Sequence, residues 1–192
     1  MPVLARMVGH PALRSLNISS LGSILLDEPA TAALLCDALC VNTRIATFGL
    51  INVGLWYNLE AATALLTTLQ AMPSLTALSI SENAVQPEDA AAACAALGAF
   101  IAHSPALESL EIRDCLLGDV GLSLVFDALP HARRIEFLDC RGNDQSEVFA
   151  RERVIPAVRA CATLRTLDMT PAVSDTVSQL LQRRCLRDKR SR

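Results

Sequence analysis

Aromatic residues are scarce in this sequence, since only 4% of its 192 residues are Phe, Trp or Tyr, with one Trp and one Tyr. Hydrophobic residues nevertheless make up 52%, which indicates a well-buried core and excludes the disordered class. That core must be built mainly from aliphatic side chains. The length allows one domain or one run of repeats.

Long apolar segments and a basic surface are also lacking. The most prominent charge-free run, residues 90–102, is shorter than the roughly 20 residues that a membrane span needs. The last ten residues hold six basic residues and one acidic residue, so the net charge of −3 leaves −8 on the rest of the chain. An acidic body disfavours nucleic-acid binding. We therefore expect a cytoplasmic protein without nucleic-acid or membrane partners, although the basic tail (185–192) leaves nuclear import open.

Motifs for catalysis or metal binding are absent from the sequence. His10, His103 and His131 show no metal-ligand spacing, and no serine lies in a G-x-S-x-G elbow. The seven cysteines include no C-x-x-C pair, and their odd number favours reduced thiols. Cys36 and Cys40, one helical turn apart, could form a redox or metal pair but are better explained as small core residues. These patterns predict a protein that is not an enzyme, with no cofactor and no metal.

A pattern with leucines at uneven steps, L-x-x-L-x-L, recurs along the whole chain. Its copies begin 32, 30, 32, 28 and 29 residues apart, at 13, 45, 75, 107, 135 and 164. The last two apolar positions of each copy share one face of a short strand, because side chains alternate along a strand. Three residues after each copy a buried residue turns the chain away, and these are Leu21, Val53, Asn83, Cys115, Asn143 and Ala172. Asn suits this position because its amide bonds to backbone groups of the turn.

Segments with helical character separate the strands. They cover residues 29–40, 59–72, 87–102, 119–129, 155–161 and 174–184. Pro87 and Pro156 are predicted to stand at helix starts, where a missing N–H costs nothing. The charged stretch 143–154 is then a long connection. Strand–helix units of this kind stack into a parallel sheet with a layer of helices on one side.

Residues 107–129, "LESLEIRDCLLGDVGLSLVFDAL", resemble the leucine-rich-repeat family, and in particular its ribonuclease-inhibitor-like subclass. The resemblance implies an α/β solenoid, a horseshoe of about six β-α repeats with a concave sheet and convex helices, which binds macromolecules through the sheet. The domains are then a lead-in (1–10), the repeat domain (11–184) and the basic tail (185–192). A doubly wound α/β enzyme is the competing fold, but its strands would be apolar on both faces. Nothing before residue 11 resembles a polar cap, so an open end could allow self-association or join further chain.

The repeat frame places an acidic row on the concave face of the last three repeats, formed by Glu111, Asp139 and Asp168. Arg113 and Arg141 flank this row, and Phe137 lies at its centre. These six residues are candidates for contact with a protein partner. A solvated ladder in which the charges only neutralise one another is the alternative.

A second candidate is the segment that holds Trp56 and Tyr57, expected at the rim between the second strand and its helix. Both side chains are common interface anchors, although either ring could instead cover the edge of the core, Trp56 more so. The preferred hypothesis is a protein-interaction module that acts as an adaptor, inhibitor or scaffold. The alternatives are a GTPase activator, as found in this family, and an array that self-associates through its ends.

Overall fold

The computed structural model describes residues 2–19, 26, 28–169, 175 and 177–183. Strands and helices alternate along these residues as the repeat pattern predicts. The strands are β1 (Ser15–Ser19), β2 (Thr47–Ile51), β3 (Ala77–Ser79), β4 (Ser109–Glu111), β5 (Phe137–Asp139) and β6 (Thr166–Asp168). The helices are α1 (Pro2–Val8), α2 (Pro29–Val41), α3 (Leu59–Gln70), α4 (Ala90–His103), α5 (Gly118–Ala128), α6 (Glu147–Phe149) and α7 (Ile155–Ala160), and residues 177–183 are also helical. Short 3-10 turns cover Leu55–Tyr57 and Leu129–His131.

The six strands form one parallel sheet in chain order, β1 to β6. Each strand pairs in the register that the repeat frame predicts: the central positions Phe48, Leu78, Leu110, Leu138 and Leu167 lie opposite one another. Because every unit pairs only with its neighbours, the sheet grows in one direction. The predicted leucine-rich-repeat solenoid is confirmed.

The core lies between the sheet and the helices and is mainly aliphatic. The few aromatic side chains are used at its centre, where Phe48, Phe100 and Phe126 are completely buried. Phe126 also meets Phe149 edge to face, with ring centroids 5.7 Å apart. Such pairs add to the stabilisation that burial alone supplies.

One predicted helix start is wrong, and a second is only partly right, because Pro156 stands in the first turn of α7 but α6 and a π-helical segment precede that helix. Pro87 lies in the turn before α4, which begins at Ala90. Pro156 lies inside a helical run that starts at Glu147, because Ser146 caps that run by accepting a hydrogen bond from the Phe149 N–H. Residues 147–154 are thus helix and not connection.

A π-helical segment, Ala150–Val154, explains how the run tolerates Pro156. The Ile155 N–H donates to the Ala150 carbonyl, five residues back, directly before the proline. The ladder of hydrogen bonds is therefore already shifted where the proline has no N–H to donate.

The lead-in forms part of the array. α1 packs against α2, and Val8 is completely buried. The buried Asn42 side chain ties the two together by donating to the Val8 and His10 carbonyls, at 2.7 and 3.0 Å.

Two further expectations from the sequence concern the basic tail and membrane spans. The basic tail (185–192) lies outside the described residues. Within the described part of the chain, no helix combines the length and apolar character that a membrane crossing requires.

Candidate functional site

The sheet face opposite the helices, here called the concave face, presents three rows of side chains. The middle row joins Glu111, Asp139 and Asp168 on adjacent strands, as the paired registers of β4, β5 and β6 require. Carboxylates directly opposite one another repel, so the row needs neutralising partners. Arg113 and Arg141, two residues beyond Glu111 and Asp139, supply them.

Asp139 is the centre of this charge cluster, and it is buried, with 2% of its surface exposed. Arg141 donates two hydrogen bonds to this carboxylate, from Nε to Oδ1 at 3.0 Å and from Nη2 to Oδ2 at 2.7 Å. The Arg113 Nε lies 3.5 Å from Oδ2 on the other side. The hydrogen bond and charge of Asp139 raise the pKa of Arg141 above its already high ordinary value. Asp139 therefore positions the two arginines and offers no surface to a partner.

The placement of Asp139 corrects the prediction of an exposed acidic row. Strand alternation shows that its side chain points away from the helices, but the two long arginines then fold over it and cover it. Glu111 and Arg113 remain about one third exposed, and Arg141 about half exposed. Phe137 and Asp168 are half-buried. The accessible cluster thus consists of two arginines, two carboxylates and one aromatic ring.

Glu111 is held in place from two directions. The Ser79 hydroxyl donates to Oε2 at 3.2 Å, and the Arg113 Nη2 lies 3.7 Å from the same oxygen. Ser81 supports Arg113, because its hydroxyl accepts the Arg113 N–H at 3.2 Å. Ser81 is completely buried, so it belongs to the scaffold of the site. The spacing of the repeats identified its row, and only the packed structure shows this supporting role.

The turns after the strands are fixed by buried asparagines. Asn83 donates to the carbonyls of Leu50, Ile80 and Ser81, and its Oδ1 accepts the N–H groups of Val53 and Leu55. Asn143, two repeats further along the chain, makes equivalent bonds to its own turn and to the turn of the preceding repeat. Each of these side chains therefore joins two neighbouring repeats. The prediction that Asn at this position bonds to the turn is confirmed. Leu21 and Ala172, at the same position in the outer repeats, lie outside the described residues.

Four residues at one repeat position adopt left-handed backbone conformations in these turns, with φ of 53°, 61°, 52° and 69°: Asn52, Glu82, Asp114 and Gly142. At Gly142, a Cβ atom would overlap the Asp114 carboxylate, which would have to move aside. The turn at Asp114, directly after Arg113, therefore packs closely against the turn at Gly142, directly after Arg141.

Trp56 and Tyr57 are separated by the structure. Trp56 is 2% exposed and lies in the core, so it is excluded as a surface anchor and its ring is buried, as the favoured alternative for this residue has it. The 3-10 turn Leu55–Tyr57 directs Leu55 and Trp56 inward. This placement is favourable because burying apolar surface lowers the free energy of the folded protein. Tyr57 is 68% exposed and remains available to a partner, at a distance along the array from the charge cluster.

None of the cysteines that the structure describes presents a reactive thiol on the concave face. Burial raises the pKa of Cys94 and of Cys115 to about 12, and it raises the pKa of Cys140 still further. The prediction that Cys115 and Cys140 are buried is confirmed. On α2, Cys40 is exposed and Cys36 half-buried, and burial also raises the pKa of Cys36. Among the residues that the structure describes, no group of His, Cys, Asp and Glu side chains is suited to hold a metal ion.

Comparison with known proteins agrees with this architecture. Residues 103–126, which include β4 and most of α5, match the family described as Leucine Rich repeat. No curated protein matches the sequence.

Two solved structures are similar in fold. The C-terminal domain of tropomodulin from Caenorhabditis elegans has a TM-score of 0.55 and 15% identity, over 98% of this chain and 95% of that one. The structure titled Leiomodin-1 Actin-Binding Site 2 has a TM-score of 0.48 and 17% identity, over 97% of this chain and 90% of that one. Taken with the parallel sheet, the stacked helices and the match at the fourth repeat, the first of these likenesses identifies the fold of this chain as a leucine-rich-repeat solenoid.

Proposed function

We propose that this protein is a non-enzymatic interaction module that binds a partner protein on the concave face of its last three repeats. The observation that carries the proposal is the half-exposed Arg141 held by the buried Asp139. The side chain of Arg141 is already held in one conformation, so little conformational entropy is lost when a partner bonds to it. Such pre-organised arginines are frequent among the residues that dominate binding energy.

The chemistry of the cluster defines what the partner should present. The unused N–H groups of Arg141 and Arg113 suit a carboxylate, and Glu111 and Asp168 beside them suit a basic group. Phe137 belongs to β5, which lies between β4 and β6, and its side chain is half-buried. It therefore offers an apolar contact at the centre of the polar groups. We infer a partner segment of mixed charge with an apolar residue between its charged side chains.

The helix lengths support the ribonuclease-inhibitor-like subclass. α2, α3, α4 and α5 contain 13, 12, 14 and 11 residues. Full helices in repeats of about 30 residues belong to the long-repeat end of the leucine-rich-repeat range. We therefore assign the chain to that subclass as part of this proposal.

Partner capture from a cell extract, read out by mass spectrometry, tests the proposed surface. We expect Arg141→Glu and Phe137→Ala each to weaken capture of the same protein at least about tenfold. Arg153→Glu is the matched control, because it breaks an exposed ion pair with Asp127 away from the sheet. Circular dichroism would confirm that all variants are folded. Equal capture by all three variants and the wild type would reject the concave face as the docking surface.

A further inference from the structure

Among the residues that the structure describes, the N-terminal edge of the sheet has hydrogen-bond donors without the partner that every later repeat has. The Ala46 and Thr47 N–H groups both donate to the Arg14 carbonyl, at 2.8 and 3.1 Å. The same pair of bonds recurs at each following strand, from Thr76 and Ala77 to Ala46 and onward. β1 is the first strand of the sheet, so the equivalent N–H groups of Arg14 and Ser15 face an open edge.

An apolar groove lies beside this edge. It has a volume of about 560 Å³, and its lining residues are Val3, Arg6, Met7, His10, Ala12 and Leu13. Val3 and Met7 are 61% and 52% exposed. Leu16, the second residue of β1, is only half-buried, although its equivalents in the later strands are buried. α1 extends the helix layer by one unit, and among the described residues no strand lies next to β1 on that side.

The rim of the groove carries positive charge that is not neutralised. Arg6 and Arg14 are exposed, and Arg44 is exposed two residues before Ala46, whose N–H bonds to the Arg14 carbonyl. Within the described part of the chain these three make no ion pair, whereas Arg113, Arg134, Arg141 and Arg153 each pair with a carboxylate. The edge therefore complements an acidic ligand.

A second copy of this chain fits the edge poorly. Two copies related by a two-fold axis would bring the same positively charged patch, which contains Arg6 and Arg14, of each copy toward that of the other. A head-to-tail arrangement that continues the sheet from β6 would place α1 of one copy where residues 177–183 of the other already lie. Both arrangements add repulsion or overlap to the contact.

We propose that the β1 edge and this groove bind an extended acidic segment of a partner protein by strand addition. The backbone of the segment accepts hydrogen bonds from the Arg14 and Ser15 N–H groups. Alternate apolar side chains of the segment fill the groove over Met7 and Leu13, and its carboxylates meet Arg6 and Arg14. This site is separate from the concave charge cluster, so either could fail without the other.

A labelled nine-residue peptide in which valine alternates with glutamate is the probe, and its binding is measured by fluorescence anisotropy. We expect saturable binding to the full chain that weakens at least tenfold in Arg14→Glu and in Ser15→Pro. Ser15→Pro removes an edge N–H without removing a hydrogen bond of the sheet, since proline is tolerated on edge strands. The matched control is Arg133→Glu, which reverses an exposed charge before β5 and should bind as the wild type does.

Three outcomes of the peptide assay would overturn the proposal, and a fourth comes from sedimentation. One is the absence of saturable binding by the folded wild type, and another is equal binding by all the variants. The third is equal binding of a peptide in which valine alternates with lysine. Sedimentation velocity completes the test, because a dimer that is lost in Met7→Glu would assign the groove to a second copy of the chain instead.

Discussion

At the scale of single residues, Asn83 shows how a repeat is joined to the one before it. Its side chain is 1% exposed and makes five hydrogen bonds, three of them to Leu50, Val53 and Leu55 of the preceding repeat. Replacing it by Ala leaves buried N–H groups unpaired, at about 1–3 kcal/mol each. We expect Asn83→Ala to lower the free energy of unfolding by about 3 kcal/mol, measured by urea denaturation.

Asn58→Ala is the matched control for this prediction. Asn58 is also an asparagine that bonds to backbone, but it makes one bond, from the Ala61 N–H at 3.0 Å at the start of α3. Loss of such a cap costs about 1 kcal/mol. Equal losses for the two variants would show that the bonds between repeats add nothing beyond a local cap.

The sequence predicts the direction of a side chain better than its depth. Alternation along the strand correctly places Asp139 on the sheet face away from the helices, in register with Glu111 and Asp168. It cannot predict that Arg113 and Arg141 fold over Asp139, because that depends on how two long side chains from adjacent repeats choose among their rotamers. The sequence leaves the position of Trp56 open for a similar reason, since a turn residue faces inward or outward according to three-dimensional packing.

At the scale of elements, strands were easier to predict than helix starts. The six strand positions follow from a pattern that each repeat restates, so errors in one repeat are corrected by the others. The start of the helical run at Glu147 depends on a single residue, Ser146, and on a π segment that accommodates Pro156. A rule that places proline at helix starts therefore missed the first half of this run.

Ser146 also joins this helical run to α5, which makes a prediction about coupling. Asp119 accepts hydrogen bonds from the Ser146 N–H at 2.7 Å and from its hydroxyl at 2.6 Å. The hydroxyl at the same time caps the helix through the Phe149 N–H. We expect Ser146→Ala to lower the free energy of unfolding by about 1 kcal/mol.

A double-mutant cycle with Asp119→Ala measures the link between the two elements. The effects should be non-additive by at least about 0.5 kcal/mol, because the two side chains bond directly. Combining Ser146→Ala with the distant Asn58→Ala should instead be additive. Additivity in both cycles would mean that the contact between Ser146 and Asp119 contributes nothing to stability.

At the scale of the whole molecule, stability is a sum of contacts between neighbouring units, since each repeat meets only the repeats beside it. Units in the middle are covered on both sides, as the complete burial of Leu78 and Leu110 to 1% and 0% shows. Among the described residues, β1 is covered by a neighbouring strand on one side only, and Leu13 and Leu16 stay half-buried, while α1 packs against α2 at the same end of the helix layer. We therefore expect local unfolding to begin at the N-terminal end of the array, at α1 and β1.

Native-state hydrogen exchange can measure this gradient. We expect the amides of β3 and β4 to exchange only through global unfolding, and those of α1 and β1 to exchange through openings of lower free energy. The acidic alternating peptide should raise protection at β1 if it binds there, whereas a substitution at Arg141 should leave the gradient unchanged. Equal opening free energies from β1 to β5 would contradict one-dimensional stacking and show that the repeats unfold as one cooperative unit.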